Sequence, residues 1–134
     1  MGFDWREFLS LAQRLKDDTP PGMTREGACR CAISRAYYAA FCYARNYARD
    51  NLDFEPRYGP EDHGRLRAHL KGKRRQKTSE NLDRPREWRN ACDYNDEIED
   101  DLRDKLSAAL EEARYVFDSL PPPSVAPSPE GGAY

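Results

Sequence analysis

The chain has 134 residues, 38% hydrophobic and 34% charged, with a formal net charge of -2 and a mean hydropathy of -1.01. That size suits one domain with a real core and no need for disulfides or metal, and the small negative charge excludes a globally basic nucleic-acid binder. No stretch approaches the roughly 18 apolar residues of a membrane span, and the start, MGFDWREFLS, lacks the charged-then-apolar order of a secretory signal, so the expected location is the cytoplasm.

So few apolar residues must lie on narrow stripes, which favours amphipathic helices. A first helix is expected over about Asp4 to Lys16, where Trp5, Phe8, Leu9, Ala12 and Leu15 share a face. Thr19-Pro20-Pro21-Gly22 stops it. Thr24 is a suitable N-cap for a second helix to about Asn51, about 42 Å long at the usual rise. Ile33, Ala36, Ala40, Tyr43, Ala44 and Tyr47 fall on one arc of it, with Ala32, Ala39 and Phe41 on its shoulders; the alanines permit close packing. The other face is a polar strip of Ser34, Arg35, Tyr38, Arg45, Asn46 and Arg49.

Phe54 to Pro60 reads as a loop and Glu61 to Lys71 as a short basic third helix. A fourth helix fits about Ser79 to Asp93, with Pro85 breaking or opening it and Trp88, Ala91 and Cys92 as buried candidates. The fifth, about Asp96 to Leu120, carries the cleanest stripe: Ile98, Leu102, Leu106, Ala109, Leu110, Ala113, Val116, Phe117 and Leu120. Pro121-Pro122-Pro123 ends it, and residues 121–134 have the composition of a Pro/Gly-rich flexible tail after a domain at 1–120. The expected fold is all-α, an antiparallel up-and-down bundle of four to five helices.

Cys29, Cys31, Cys42 and Cys92 form no CxxC pair, and the two histidines, His63 and His69, lie apart from them. Buried free thiols are expected, with no metal and no cofactor. Charge is uneven: Arg65, Arg67, Lys71, Lys73, Arg74, Arg75 and Lys77 follow one another without an acid, while Asp93 to Asp104 is strongly acidic. The basic run is either a phosphate-binding surface or a solvated loop, and no aromatic lies within it to stack bases. The acids at Asp100 and Asp101 either face a basic partner or simply stabilise a helix N-terminus.

Two segments resemble the HEPN family of helical bundles found in prokaryotic toxin–antitoxin, phage-defence and nucleotidyltransferase-associated proteins. One is Ala32-Ile33-Ser34-Arg35-Ala36-Tyr37-Tyr38-Ala39-Ala40-Phe41, similar to the family's Ser-Arg-x-Tyr-Tyr-Ala-Ala-Phe helix. The other is Arg89-Asn90-Ala91-Cys92-Asp93-Tyr94-Asn95-Asp96, similar to its Arg-x-x-Ala-Asp-Tyr-x-Asp segment, and His63-Gly64 between them is a further shared feature. The resemblance covers about Phe8 to Leu120. It implies a homodimer or a subunit of a larger defence complex, an RNA or nucleotide ligand, and a nucleotidyltransferase-type partner.

Many members of the family cleave RNA without metal, using an arginine followed within a few residues by a histidine at the start of a late helix. No histidine follows Arg89 here. Asp93 is a poor substitute, because an ordinary aspartate is ionised at neutral pH and too weak a base. Arg57 and His63 satisfy the spacing but fall in the proline-containing loop region. Arg89, Asp93 and Tyr94 read either as a nucleotide or RNA pocket or as an internal ion pair with Tyr94 packed below. Ser34, Arg35 and Tyr38 either face that pocket or form a packing or dimer face, and His63 is either an acid-base group or a solvated residue. The expectation is therefore an accessory module that acts by dimerisation, partner binding and RNA or nucleotide binding through Ser34, Arg35, Tyr38, Arg65, Arg67, Lys73, Arg74 and Arg75. The alternative is a metal-independent endoribonuclease with a rearranged site at Arg89, Asp93, Tyr94 and His63.

Overall fold

The computed structural model describes residues 2–98 and 101–122. Asp100 and most of the Pro/Gly-rich tail, 123–134, lie outside them. Within the described residues the chain is all-α, with α1 (Arg6–Asp17), α2 (Arg25–Asn51), α3 (Asp62–Gly72), α4 (Gln76–Tyr94) and α5 (Leu102–Ser119). No helix among them is long and apolar enough to cross a membrane.

α2 is the central column. Thr24 caps it by accepting from the Gly27 amide at 3.0 Å. Ala28, Ala32, Ala36, Ala40, Ala44 and Ala48 recur every four residues along it, each 2% exposed or less. A row of methyl groups at that spacing forms a shallow groove, so neighbouring helices approach closely. α1 packs on one flank, with Arg35 of α2 over the Phe8 ring, and the α5 stripe of Leu106, Ala109, Leu110, Ala113, Val116 and Phe117 fills the other.

α4 runs antiparallel to α2, since Arg30 meets its C-terminal end at Cys92 and Arg75 at its start lies over Tyr47. α5 is antiparallel to α4 in turn, pairing Thr78 with Ser119 and Arg84 with Glu112. α3 instead runs in the same sense as α2: His63 sits beside Tyr37, and His69 bonds to the Leu52 carbonyl. The 52–61 segment makes this possible by carrying the chain back along α2. Phe54 anchors it in the core, and the buried Asp62 carboxylate accepts from the Arg57 and Tyr58 amides at 3.0 and 2.8 Å. Tyr58 is held at φ 59°, in the left-handed region that non-glycine residues seldom occupy.

Two expected boundaries differ. Pro85 neither breaks nor opens α4; it is buried inside a helix that runs from Gln76 to Tyr94. A mid-helix proline costs about 3 kcal/mol, and here both flanks are anchored in the core, at Leu82 and at Arg89 and Cys92. α5 begins at Leu102 rather than near Asp96, after α4 has run on to Tyr94. Arg30 holds the end of α4 by donating to the Cys92, Asn95 and Asp96 carbonyls, and Asp101 caps α5 through the Arg103 amide. Ile98 still packs on the core from the connection.

The alanine groove leaves no room for a longer side chain. Ala36→Leu is expected to destabilise the fold by about 1–3 kcal/mol, read as a lower urea midpoint; an unchanged midpoint would show that α1 and α5 do not close on α2 as described.

Candidate functional site

An open cleft of about 560 Å³ lies where α2, the 52–61 segment, the start of α3 and α4 meet. Tyr38, Phe41 and Arg45 line it from α2, at spacings that place them on one face. Tyr58 lines it from the loop side, Asp62 and His63 from the first turn of α3, and Arg86, Arg89 and Tyr94 from α4. His63 is thus helical, not part of the loop. Tyr58 and Tyr94 stand at the rim, 64% and 76% exposed.

Arg89 is the buried cation of the cleft, 8% exposed. Its guanidinium lies over the Tyr37 and Tyr38 rings, 5.6 and 5.1 Å from their centroids, and 3.5 Å from the Asp93 carboxylate. The Nε atoms of both Arg86 and Arg89 are buried without a hydrogen-bond partner. Arg45 lies over Phe41 and Tyr58. The cleft therefore gathers three guanidinium groups around one aromatic floor.

His63 stacks on Phe41 with centroids 4.1 Å apart and on Tyr37 at 5.6 Å. Its Nδ1 is hydrogen-bonded to the hydroxyl of Tyr37, itself 1% exposed. Burial, then Arg86, Arg89 and Arg67, push the imidazole down from 6.5 to about 4, with Asp62 opposing. Burial likewise holds the Tyr37 phenol well above its ordinary value, against the pull of Arg86, Arg89 and Arg67. Both groups are neutral at pH 7.

The residues singled out in the sequence divide. His63, Arg89, Tyr94 and Tyr38 line the cleft, and Asp93 and Ser34 adjoin it, with Ser34 Oγ 3.5 Å from the carboxylate paired to Arg89. The expected Arg89–Asp93 pair is present, but Tyr94 is exposed rather than packed beneath it. Arg35 does not face the cleft, since it lies over Phe8 on the α1 side. The basic run does not act as one free surface. Arg65 pairs with Asp62 at 2.7 Å, Arg67 donates to the His63 carbonyl and lies 3.5 Å from Asp83, and Arg75 donates to the Ser119 carbonyl. Lys73 lies 3.8 Å from Asp53, and Arg74 is exposed at the α3–α4 turn with φ 64°.

Arg86, Arg45, Tyr58, Phe41 and Tyr37 were not among the sequence candidates. Arg86 and Arg89 stand three apart on α4, a helical spacing that could have revealed the first; Tyr58 gave no signal, because a loop carries no periodicity. Cys29, Cys42 and Cys92 are buried free thiols and Cys31 is half-buried; burial pushes the Cys92 thiol up to about 11, which makes it inert as a nucleophile. Compared with family models, curated proteins and solved structures, the chain matches none of them.

His63 carries a pH dependence whose sign is fixed. Its folded value lies below its unfolded one, so the native state binds fewer protons between about pH 6.5 and 4. Its contribution to stability is complete above that window and is lost as pH falls through it. An NMR titration should place the His63 midpoint near 4, and a His63→Gln variant should show a shallower loss of stability between pH 6.5 and 4. A midpoint near 6.5 would contradict the buried, arginine-flanked ring.

Proposed function

We propose that the chain is a binding module whose cleft holds a phosphate of RNA or of a nucleotide. The unpartnered, buried Nε groups of Arg86 and Arg89 carry this reading. A buried donor left unsatisfied costs about 1–3 kcal/mol, and three guanidinium groups together supply the forked donors that suit a phosphate. Tyr58 and Tyr94 at the rim expose broad aromatic faces beside the arginines, the surface on which unpaired bases stack. The resemblance to HEPN domains extends the reading: an accessory module of a prokaryotic defence or toxin–antitoxin system, working as a homodimer or as a subunit beside a nucleotidyltransferase-type partner, in the cytoplasm.

One observation favours the alternative, a metal-independent endoribonuclease: His63 and Arg89 line the same cleft although they are far apart in sequence. Against it, an imidazole held near 4 is a weak base at neutral pH, and its Nδ1 is already engaged. Asp62 offers no replacement, because its carboxylate binds the Arg57 and Tyr58 amides and Arg65.

Labelled single-stranded RNA in EDTA separates the readings. Binding by anisotropy should weaken about tenfold or more in Arg89→Ala, the loss of a charge-assisted bond, while Arg74→Glu, at the far end of α3, changes it little. The RNA should remain intact. Cleavage abolished by His63→Ala would establish the nuclease, and equal losses in the two arginine variants would move binding from the cleft to the basic run.

A further inference from the structure

The Tyr37–His63 contact decides which face of chemistry the histidine shows the cleft. The Tyr37 hydroxyl is buried, and its sole partner among the described residues is Nδ1 of His63. A phenol both donates and accepts, whereas a neutral imidazole carries its proton on one nitrogen or the other. If Nδ1 carried it, Nδ1–H would donate to the Tyr37 oxygen and the phenolic proton would have no acceptor. If Nε2 carries it, the phenol donates to Nδ1, and the buried hydroxyl and Nδ1 are both satisfied. Buried donors are almost always satisfied, so the second arrangement prevails.

Ring rotation offers no escape. His63 stacks on Phe41 at 17° and 4.1 Å and meets the Tyr37 hydroxyl at its Nδ1 edge, and turning the ring over would replace Nδ1 by a carbon opposite the hydroxyl. The groups around it from each element are Tyr37 and Tyr38 on α2, Asp62 and Arg67 on α3, and Arg86 and Arg89 on α4. Three cations against one carboxylate oppose a second proton on the ring. That carboxylate is bonded to Arg65 and two amides and accepts nothing from the imidazole.

We infer that Tyr37 is a positioning residue that fixes the tautomer of His63, so that the ring presents Nε2–H to the cleft as a neutral donor for a phosphodiester oxygen. The inference rests on the phosphate-binding reading for its ligand and on the Tyr37 contact for its chemistry. Beside Arg45, Arg86 and Arg89, a further N–H suits an oxyanion that only accepts. It also explains how a histidine can serve in binding without serving as a base, since the nitrogen a base would use already holds a proton.

Long-range proton–nitrogen NMR on the histidine-labelled, ligand-free protein at pH 7 reads the tautomer directly. The expected pattern for His63 is protonated Nε2 and unprotonated Nδ1; the reverse pattern overturns the inference. Tyr37→Phe should lose this single pattern and show both tautomers, whereas a Tyr37→Phe spectrum that keeps pure Nε2–H would assign the tautomer to something other than Tyr37. Titration with the dinucleoside monophosphate UpU in EDTA should then shift the His63 Nε2 resonance in the wild type. UpU that perturbs Arg89 but leaves His63 unmoved overturns the donor role while sparing the phosphate-binding reading. UpU that perturbs neither overturns that reading and with it the ligand assigned here, and the free-protein spectrum still reports the tautomer.

Discussion

The structure depends first on the row of six alanines along α2. Because each is essentially inaccessible, α1 and α5 close directly on the α2 backbone, and α2 becomes the element against which every other helix is registered. The register has a consequence on the adjoining face of the same helix. There Tyr37 and Phe41 pack on His63 of α3, and the Arg89 guanidinium of α4 lies over the Tyr37 ring. The ring stack that holds His63 is therefore set by the same helical phase that buries the alanines.

Magnitudes distinguish what holds the bundle together from what the cleft leaves unresolved. The Arg89–Asp93 pair is 3.5 Å long, with the aspartate one-third exposed, and such a pair is worth no more than about 1 kcal/mol. Two cation–π contacts add about 0.5–2 kcal/mol each. Against these stand a nearly buried guanidinium and two orphaned Nε groups, whose desolvation is of the same order or larger. Elsewhere Arg30 satisfies three carbonyls and Asp62 satisfies two amides and Arg65, while Glu112 Oε1 on α5 is a third buried atom without a partner. Two of the three unsatisfied atoms found among the described residues thus share one concave, cationic place, which is the observation that the proposed phosphate site rests on.

Where periodicity was strong, the sequence was legible. The ends of α2 follow from Thr24 and from the run of alanines, and the α5 stripe names its buried residues directly. Tertiary anchoring overrode local signals elsewhere: Pro85 lies in an unbroken helix because its flanks are buried, and α5 starts late, after α4 has run on to Tyr94 with its end held by Arg30, a residue of another helix. The cleft was half legible. Arg89, His63, Tyr38 and Tyr94 could be named from the segments that carry them, but the parallel course of α3 beside α2 is a property of the return loop. Nothing local predicts that Asp62 will bury its carboxylate on the Arg57 and Tyr58 amides. The basic run misled for a related reason, since charge in a linear stretch says nothing about which guanidinium groups will turn inward to Asp62, Asp83 or the Ser119 carbonyl.

Those inward turns bear on the chemistry. Arg67 bonds the His63 backbone and, with Arg86 and Arg89, raises the positive potential at the ring. A catalytic histidine in RNA cleavage must exchange a proton near neutral pH, and each of these arginines works against that by disfavouring the imidazolium. An incoming phosphate would offset part of their charge and move the ring back toward its ordinary value, so the proton affinity of His63 and the occupancy of the cleft are linked. The positive field that, after burial, makes His63 a weak base also attracts anions to the cleft. Within one set of residues the electrostatics suit the proposed holding of a phosphate better than cleavage beside it.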